Sequence, residues 1–104
     1  MPRLLSIVAA TVLAAITVPS WASPQLAQKY ACTACHSVDK KIVGPAFADV
    51  AKKYAGTPDA LATLMSNIKA GGGGKWGPVP MPAQAAVPDA DLKALATWIL
   101  GAAK

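Results

Sequence analysis

The two cysteines of this 104-residue chain lie close together, in a Cys-x-x-Cys-His motif that also contains its only histidine. The motif begins at Cys32 and ends at His36. A disulfide between Cys32 and Cys35 would close a very short loop and would restrict the unfolded chain little. Because a chain this short buries little apolar surface, we expect a large cofactor to supply part of its core. The motif therefore favours a small domain whose core includes a cofactor bound by these residues.

The spacing of the motif meets the requirements of covalent haem attachment. Two thiols three residues apart on a helical turn face the same way, so Cys32 and Cys35 can add to the two vinyl groups of one porphyrin. The adjacent His36 is then held under the iron, where its imidazole can be the proximal ligand. The sequence therefore predicts one haem c, with its iron, bound through Cys32, Cys35 and His36.

Two other kinds of site use similar residues, a thioredoxin-like redox pair and a zinc site. A thioredoxin motif is expected near a βαβ pattern, and no strand pattern occurs in this sequence. Tetrahedral zinc needs four ligands, whereas two cysteines and one histidine leave its coordination incomplete unless a carboxylate joins them. Both alternatives fit the sequence less well than haem does.

The sixth ligand of a haem iron would have to come from a residue other than histidine. Methionine is the remaining donor, and the chain has Met1, Met65 and Met81. Met65 shares the apolar face of a predicted helix, which is typical of a core residue. Met81 lies between Pro80 and Pro82, which restrict the backbone on both sides. We predict Met81 as the second axial ligand, the alternative being an apolar loop residue that fills the core.

The N-terminal segment is typical of a secretory signal peptide. Arg3 precedes an apolar run of 15 residues at 4–18, and small residues follow in Ser20-Trp21-Ala22. The run is shorter than the roughly 20 residues that a membrane-spanning helix needs. We expect residues 1–22 to be cleaved after about Ala22, which leaves residues 23–104 as one periplasmic domain with no membrane span. The alternative is an uncleaved N-terminal anchor.

The charge of the chain is weakly basic, with a formal net charge of +5 that falls by one if Arg3 is removed with the signal. Lysines flank the motif segments and can form a basic collar that attracts acidic redox partners, although surface lysines are often simply solvated. No basic stretch is interleaved with aromatic residues, so we expect no nucleic-acid binding. The lysines of this collar are Lys29, Lys40, Lys41 and Lys75.

Apolar residues at helical spacing predict an all-α fold with four short helices. The first is expected over residues 25–35, the second from Phe47 to Gly56, the third from Thr57-Pro58-Asp59 to the glycines at 71–74, and the last from Pro88-Asp89 to Gly101. Prolines at 78, 80, 82 and 88 make helix implausible over residues 75–88. A long, defined loop is therefore expected between the third and last helices.

The mature chain as a whole resembles the class I monohaem cytochromes c, in particular the short bacterial periplasmic type that supplies electrons to nitrite reductases or terminal oxidases. That resemblance implies His36 and Met81 as axial ligands, a Pro45 carbonyl that accepts from His36, and a Trp76 that contacts a haem propionate. It also implies packing of the first helix on the last near Trp98. The resemblance rests on segments 32–36 (CTACH), 43–46 (VGPA), 75–82 (KWGPVPMP) and 95–99 (LATWI).

Three positions depart from the pattern of these relatives. Gln84 stands where an asparagine is frequent, Phe47 where a tyrosine is frequent, and Ala27 where a larger aromatic residue is common. Gln84 can alter hydrogen bonding near the axial sulfur. Because Ala27 is small, Leu26 or Tyr30 has to fill the contact with Trp98.

A haem with both axial positions filled by protein is suited to outer-sphere electron transfer, because a substrate or O₂ could bind only by displacing Met81. We therefore predict a monomeric single-electron carrier rather than an enzyme, with transient redox proteins as its partners. Two alternatives remain: a haem enzyme or gas sensor with an open sixth position, and a tethered subunit of a larger oxidase. The mature chain has no arginine and no second histidine. It therefore offers few polar side chains that could contact a gas bound to the iron.

Overall fold

The computed structural model describes residues 8–12 and 23–102, and its regular structure is helical. One turn of 3-10 helix at Cys32–Ala34 follows the first helix. No β-strand occurs within the described ranges, where extended pairing is limited to the isolated bridges His36 to Lys41 and Gly72 to Met81. The predicted all-α class with four helices is confirmed. The helices are α1 (Ser23–Lys29), α2 (Phe47–Tyr54), α3 (Ala60–Ala70) and α4 (Asp89–Leu100).

The end of α1 differs from the prediction of a helix over residues 25–35. The helix stops at Lys29, and Ala31 adopts a left-handed conformation with φ 58°. Left-handed geometry costs about 1–2 kcal/mol for an L-residue other than glycine. An alanine at this position therefore does not predict a left-handed turn. The chain reverses there and places the cysteines on the 3-10 turn rather than on α1.

The first residues of α3 and α4 are also determined by the backbone conformation of the residues that precede them. The third helix is predicted to start at Thr57-Pro58-Asp59, but Asp59 is left-handed and makes no side-chain cap, and α3 begins at Ala60. Helix α4 begins immediately after Pro88, with Asp89 and Asp91 in its first turn. Carboxylates in this position are stabilised by the positive end of the helix dipole.

Helix α4 forms the centre of the core, since it contacts each of the other three helices. Its Leu92 and Leu95 are 2% and 1% exposed. Complete burial of a leucine contributes about 1.5–3 kcal/mol, so this helix carries much of the stability. The remaining buried cluster consists of Leu26, Ala27, Phe47, Val50, Leu64, Ile68, Val87, Ala96 and Ile99.

Helix α1 is joined to α4 by side-chain hydrogen bonds. The Tyr30 hydroxyl donates to Asp91 at 2.5 Å, and the Ser23 hydroxyl donates to the Ala94 carbonyl at 3.2 Å. An aromatic partner for Trp98 comes from α2, where the edge of Phe47 meets it at a centroid distance of 5.3 Å. Helix α1 thus packs on α4, and Trp98 of α4 contacts α2 through Phe47.

The predicted signal peptide lies mostly outside the described residues. Residues 8–12 form neither helix nor strand, and the side chains of Val8 and Val12 are exposed. Across the described ranges, no helix has both the length and the apolarity required to cross a bilayer.

Candidate functional site

A cleft of about 220 Å³ opens between the loop after the 3-10 turn and the loop that joins α3 to α4. Core residues of α2, α3 and α4, among them Val50, Leu64 and Leu95, form its apolar floor. All six side chains or carbonyl groups that the sequence singled out lie along this one cleft: Cys32, Cys35, His36, Pro45, Trp76 and Met81.

The imidazole of His36 is held by the backbone on one side of the cleft. Its Nδ1 lies 2.8 Å from the Pro45 carbonyl oxygen. Because a carbonyl can only accept, Nδ1 carries a proton, and in the neutral form of the ring the lone pair is therefore on Nε2. This is the tautomer that a metal ligand bound through Nε2 requires.

The loop that carries Pro45 is closed by main-chain hydrogen bonds. Gly44 donates to the Cys35 carbonyl at 2.7 Å, and the first amides of α2, those of Phe47 and Ala48, donate to residues 37 and 38 at 2.9 Å. A Cβ at Gly44 would overlap the ring of His36. The glycine therefore allows the loop to approach the imidazole closely enough for the Pro45 hydrogen bond.

Aromatic packing supports the same imidazole from behind. Phe47 stacks on His36 with centroids 5.1 Å apart and planes 20° from parallel. Phe47 is 3% exposed and meets Trp98 edge-on. The ring of His36 is thus fixed by a hydrogen bond at one edge and by the buried core at one face.

The two cysteines are not joined to each other by a disulfide, and both are partly buried. Their turn is closed by hydrogen bonds from the amides of Cys35 and His36 to the Cys32 carbonyl. Burial raises the pKa of the Cys32 thiol. A reactive thioredoxin-like cysteine has a lowered pKa, so this environment does not favour that alternative.

The zinc alternative also lacks support in the part of the chain that the structure describes. There, no three His, Cys, Asp or Glu side chains are grouped so that they could hold a metal ion.

Met81 lies in the second loop that lines the cleft, the one between α3 and α4, and it is fixed there by main-chain pairing with the glycine-rich segment. The amide of Gly72 donates to the Met81 carbonyl at 3.0 Å, and the Met81 amide donates to the Gly72 carbonyl at 2.7 Å. Gly71 has φ +65°, and a Cβ there would lie 2.5 Å from the Met81 carbonyl oxygen. Met65 packs against the core, whereas Met81 both contacts the core and lines the cleft.

Two polar residues that sequence reasoning did not assign to the site, Tyr54 and Asn67, also line the cleft. Lys75 donates to Asn67 Oδ1 at 2.9 Å, and Asn67 Nδ2 donates to the Tyr54 hydroxyl oxygen at 3.1 Å. Lys53 lies 4.5 Å above the ring of Trp76 and donates to the Lys75 carbonyl at 3.4 Å. Tyr54 and Asn67 lie on different helices, and nothing in their sequence spacing indicates that they meet.

The donor set of the cleft fits the haem expected from the sequence. Two thiols lie beside an imidazole with an available lone pair, and a thioether lies on the other side. The floor is apolar, as a porphyrin ring requires, and polar side chains in the lining could donate hydrogen bonds to the carboxylates of a haem. Among the described residues that line the cleft there is no Asp or Glu.

Comparisons with known proteins give the same result. The family model for cytochrome c matches residues 22–103. The chain is 55% identical over 94 residues to cytochrome c-552 of Hydrogenobacter thermophilus, covering 90% of this chain and 92% of that protein. It is 60% identical over 76 residues to cytochrome c-551 of Allochromatium vinosum, covering 73% and 81%. The crystal structure of wild-type Nitrosomonas europaea cytochrome c552 superposes with a TM-score of 0.74 at 52% identity, covering 76% of this chain and 98% of that one.

The superposition on a solved structure agrees with the helical architecture described above. Small cytochromes c of this type are electron carriers rather than enzymes, and the redox proteins with which they exchange electrons are their partners. The chain therefore belongs to the cytochrome c family, as a class I monohaem cytochrome c that carries one covalently bound haem c with its iron.

Proposed function

We propose that this cytochrome carries single electrons through a haem bound in the cleft by thioether bonds to Cys32 and Cys35, with His36 and Met81 as axial ligands. The observation that carries the proposal is the hydrogen bond from His36 Nδ1 to the Pro45 carbonyl, which leaves Nε2 available to a metal. Met81 supports it from the other side of the same cleft. When bound, the haem supplies one-electron chemistry by alternation between ferrous and ferric iron.

The protein holds both proposed ligands in place by contacts that do not involve a metal. Pro45 accepts from His36, which fixes the orientation of the ring and its tautomer. Gly72 fixes the backbone of Met81. A soft thioether favours the ferrous state and raises the reduction potential. Because both ligands would come from the protein, Met81 would keep water, O₂ and substrates away from the iron.

Trp76 is proposed to contact a haem propionate, as the resemblance to the family implies. It lines the cleft and is 39% exposed. Within residues 23–102 no acceptor is found for its indole N–H, whereas its ring is covered by Lys53. The indole is thus held in position while its donor stays available.

The proposed partners are redox proteins with acidic docking surfaces, which bind transiently to a monomeric carrier. Lys41 and Lys75 both line the cleft. Exposed apolar side chains of Ile42, Val43 and Val79 lie in the same loops. A patch of this composition favours brief, salt-dependent association over permanent assembly.

We also propose that residues 1–22 direct export and are cleaved after about Ala22, so that residues 23–104 act in the periplasm. Arg3, the apolar run and the small residues before Ser23 support this proposal. N-terminal sequencing of the exported protein tests it, and retention of the apolar segment would contradict it.

Optical spectra of both oxidation states test the ligand assignment. We expect the ferric protein to show the weak thioether-to-iron absorption band near the red end of the visible range. Met81→Ala should abolish that band, make the haem high-spin or open to added ligands, and lower the potential by about 0.1–0.3 V, within the ~0.8 V range that axial ligands control.

Met65→Ala is the matched control, because Met65 packs on the core but does not line the cleft. It should lower stability by about 1–3 kcal/mol without loss of the band. An intact band in Met81→Ala together with its loss in Met65→Ala would transfer the ligand role to Met65.

A further inference from the structure

We propose that the rings of His36, Phe47 and Trp98 form a second route for electrons, which leads from the histidine side of the iron to the surface of α4. This inference rests on the proposed ligation by His36. Phe47 contacts His36 with ring centroids 5.1 Å apart, and it contacts Trp98 with centroids 5.3 Å apart. Because Phe47 belongs to both contacts, the three rings form a continuous chain.

Ring contact is important because electrons move between separated groups by tunnelling, and the tunnelling rate falls steeply with every gap in the path. The planes of His36 and Phe47 are 20° from parallel, and Phe47 meets Trp98 edge-on at 68°. Both geometries are favourable for aromatic pairs and bring their π electrons into contact. In the proposed ligation the imidazole of His36 is itself bound to the iron, so it is the first member of the path.

The middle of this route is held in the core, whereas its outer end reaches the surface. Phe47 is 3% exposed, so its ring is packed on all sides. Trp98 is only partly buried. Its neighbours one helical turn away in the sequence are Ala94, Gly101 and Ala102. Residues at this spacing share one face of a helix, and their side chains are too small to cover the indole.

The outer end of the route lies away from the opening of the cleft. His36 and Phe47 line the cleft, but Trp98 does not. The lysines of the cleft lining have no counterpart around Trp98, because residues 94–101 include no charged side chain. A redox partner that docks at Trp98 is therefore not selected for acidity, unlike the partners proposed for the cleft opening.

Each transfer along this route moves one electron and nothing else. An oxidised acceptor at Trp98 gains the electron that ferrous iron loses, and a reduced donor at the same place supplies an electron in the opposite direction. No bond forms or breaks, and no proton moves. Phe47 and Trp98 are neither oxidised nor reduced, because they contribute only electronic coupling between the iron and the partner.

The test is the rate of electron transfer between the iron of the haem-loaded protein and a ruthenium polypyridyl complex attached to an introduced histidine, measured by flash photolysis. Thr97→His places the complex beside Trp98, because Thr97 is exposed and adjacent to it in α4. With this label, Phe47→Leu and Trp98→Leu should each slow the transfer by about tenfold, since the loss of a ring leaves a gap in the path. Phe47→Tyr keeps the ring and should keep the rate.

A second label position separates the route from general effects on the iron. Lys41→His places the complex at the cleft, whose lining includes Lys41 but not Trp98. From this position, Phe47→Leu and Trp98→Leu should leave the rate unchanged. The reduction potential of each variant gives the driving force at which rates are compared, and guanidinium unfolding shows that the variant is folded. Trp98→Leu carries the test alone if Phe47→Leu does not fold.

A rate from the Thr97 position that is unchanged in either folded leucine variant would overturn the inference. Equal slowing from both label positions would also overturn it, because the effect would then lie at the iron. The hyperfine-shifted NMR signals of the His36 ring in the ferric protein report separately on the proposed ligation. Their absence from the unaltered protein would reject the ligation, whereas normal signals with unchanged rates would reject only the second route.

Discussion

The two sides of the cleft are stabilised by different means. On the histidine side, His36 is fixed by Pro45 at one edge and by Phe47 at one face, and Phe47 belongs to the buried core. On the methionine side, Met81 is fixed chiefly by main-chain hydrogen bonds to Gly72, within a loop whose residues from 72 to 80 are all exposed. Loops with few buried contacts open at lower free energy than core segments. We therefore expect the methionine side to open before the histidine side when the protein is destabilised.

The largest expected effect comes from apolar packing on the histidine side. Phe47→Ala removes the ring that contacts both His36 and Trp98 and should lower the free energy of unfolding by about 3–5 kcal/mol. The matched change on the methionine side, Val79→Ala, should cost no more than about 0.5 kcal/mol because Val79 is 60% exposed. Guanidinium unfolding of the oxidised protein measures both. Similar losses in the free energy of unfolding for the two variants would contradict a difference in stability between the two sides.

A second test addresses the main-chain pairing on the methionine side. Gly71→Ala introduces a Cβ 2.5 Å from the Met81 carbonyl oxygen at a positive φ and should cost about 2–4 kcal/mol. It should also tighten the binding of added imidazole to ferric iron by about tenfold or more, equivalent to ~1.4 kcal/mol. Gly74→Ala has a positive φ but no neighbour within 4 Å. It should cost only about 1–2 kcal/mol, and an equal effect of the two changes would show that the close approach to Met81 is unimportant.

A third test makes the corresponding change on the histidine side. A Cβ at Gly44 would overlap His36, so Gly44→Ala should cost about 1–3 kcal/mol and shift the reduction potential as the imidazole moves. Imidazole affinity should stay close to that of the unaltered protein, because the Met81 pairing is untouched. Gly101→Ala is the control, since its Cβ would meet only ordinary contacts at 3.5 Å or more. An imidazole affinity in Gly44→Ala as high as that in Gly71→Ala would contradict the conclusion that the methionine side is the weaker one.

The smallest effect concerns the junction of α1 and α4, away from both sides. The hydrogen bond to Asp91 raises the pKa of Tyr30 above its ordinary value of 10.0. The stability that this bond contributes is fully present below that ordinary value and is lost as pH rises through the higher folded-state pKa. Thermal unfolding scans should show a steeper alkaline decline for the unaltered protein than for Tyr30→Phe. Parallel curves for the two proteins would show that the bond is not linked to folding.

Sequence reasoning predicted the helical class and the order of the helices well, because apolar residues at helical spacing mark α2, α3 and α4. It missed the end of α1, since nothing about Ala31 indicates a left-handed turn. It also missed the meeting of Tyr54 with Asn67 and the contact of Gly71 with Met81, which depend on packing between distant segments. Local patterns carry information on elements and on covalent motifs, but not on which loops touch across a cleft.

The hydrogen bond between His36 and Pro45 also bears on the speed of electron exchange. In the proposed coordination, the orientation of the imidazole would be imposed by a carbonyl and by a stacked phenyl ring, neither of which is bound to the metal. A ring held in this way would keep nearly the same position before and after each transfer. Little nuclear rearrangement would then be required at that side of the haem, so the reorganisation energy would be small and exchange could be fast even at a small driving force.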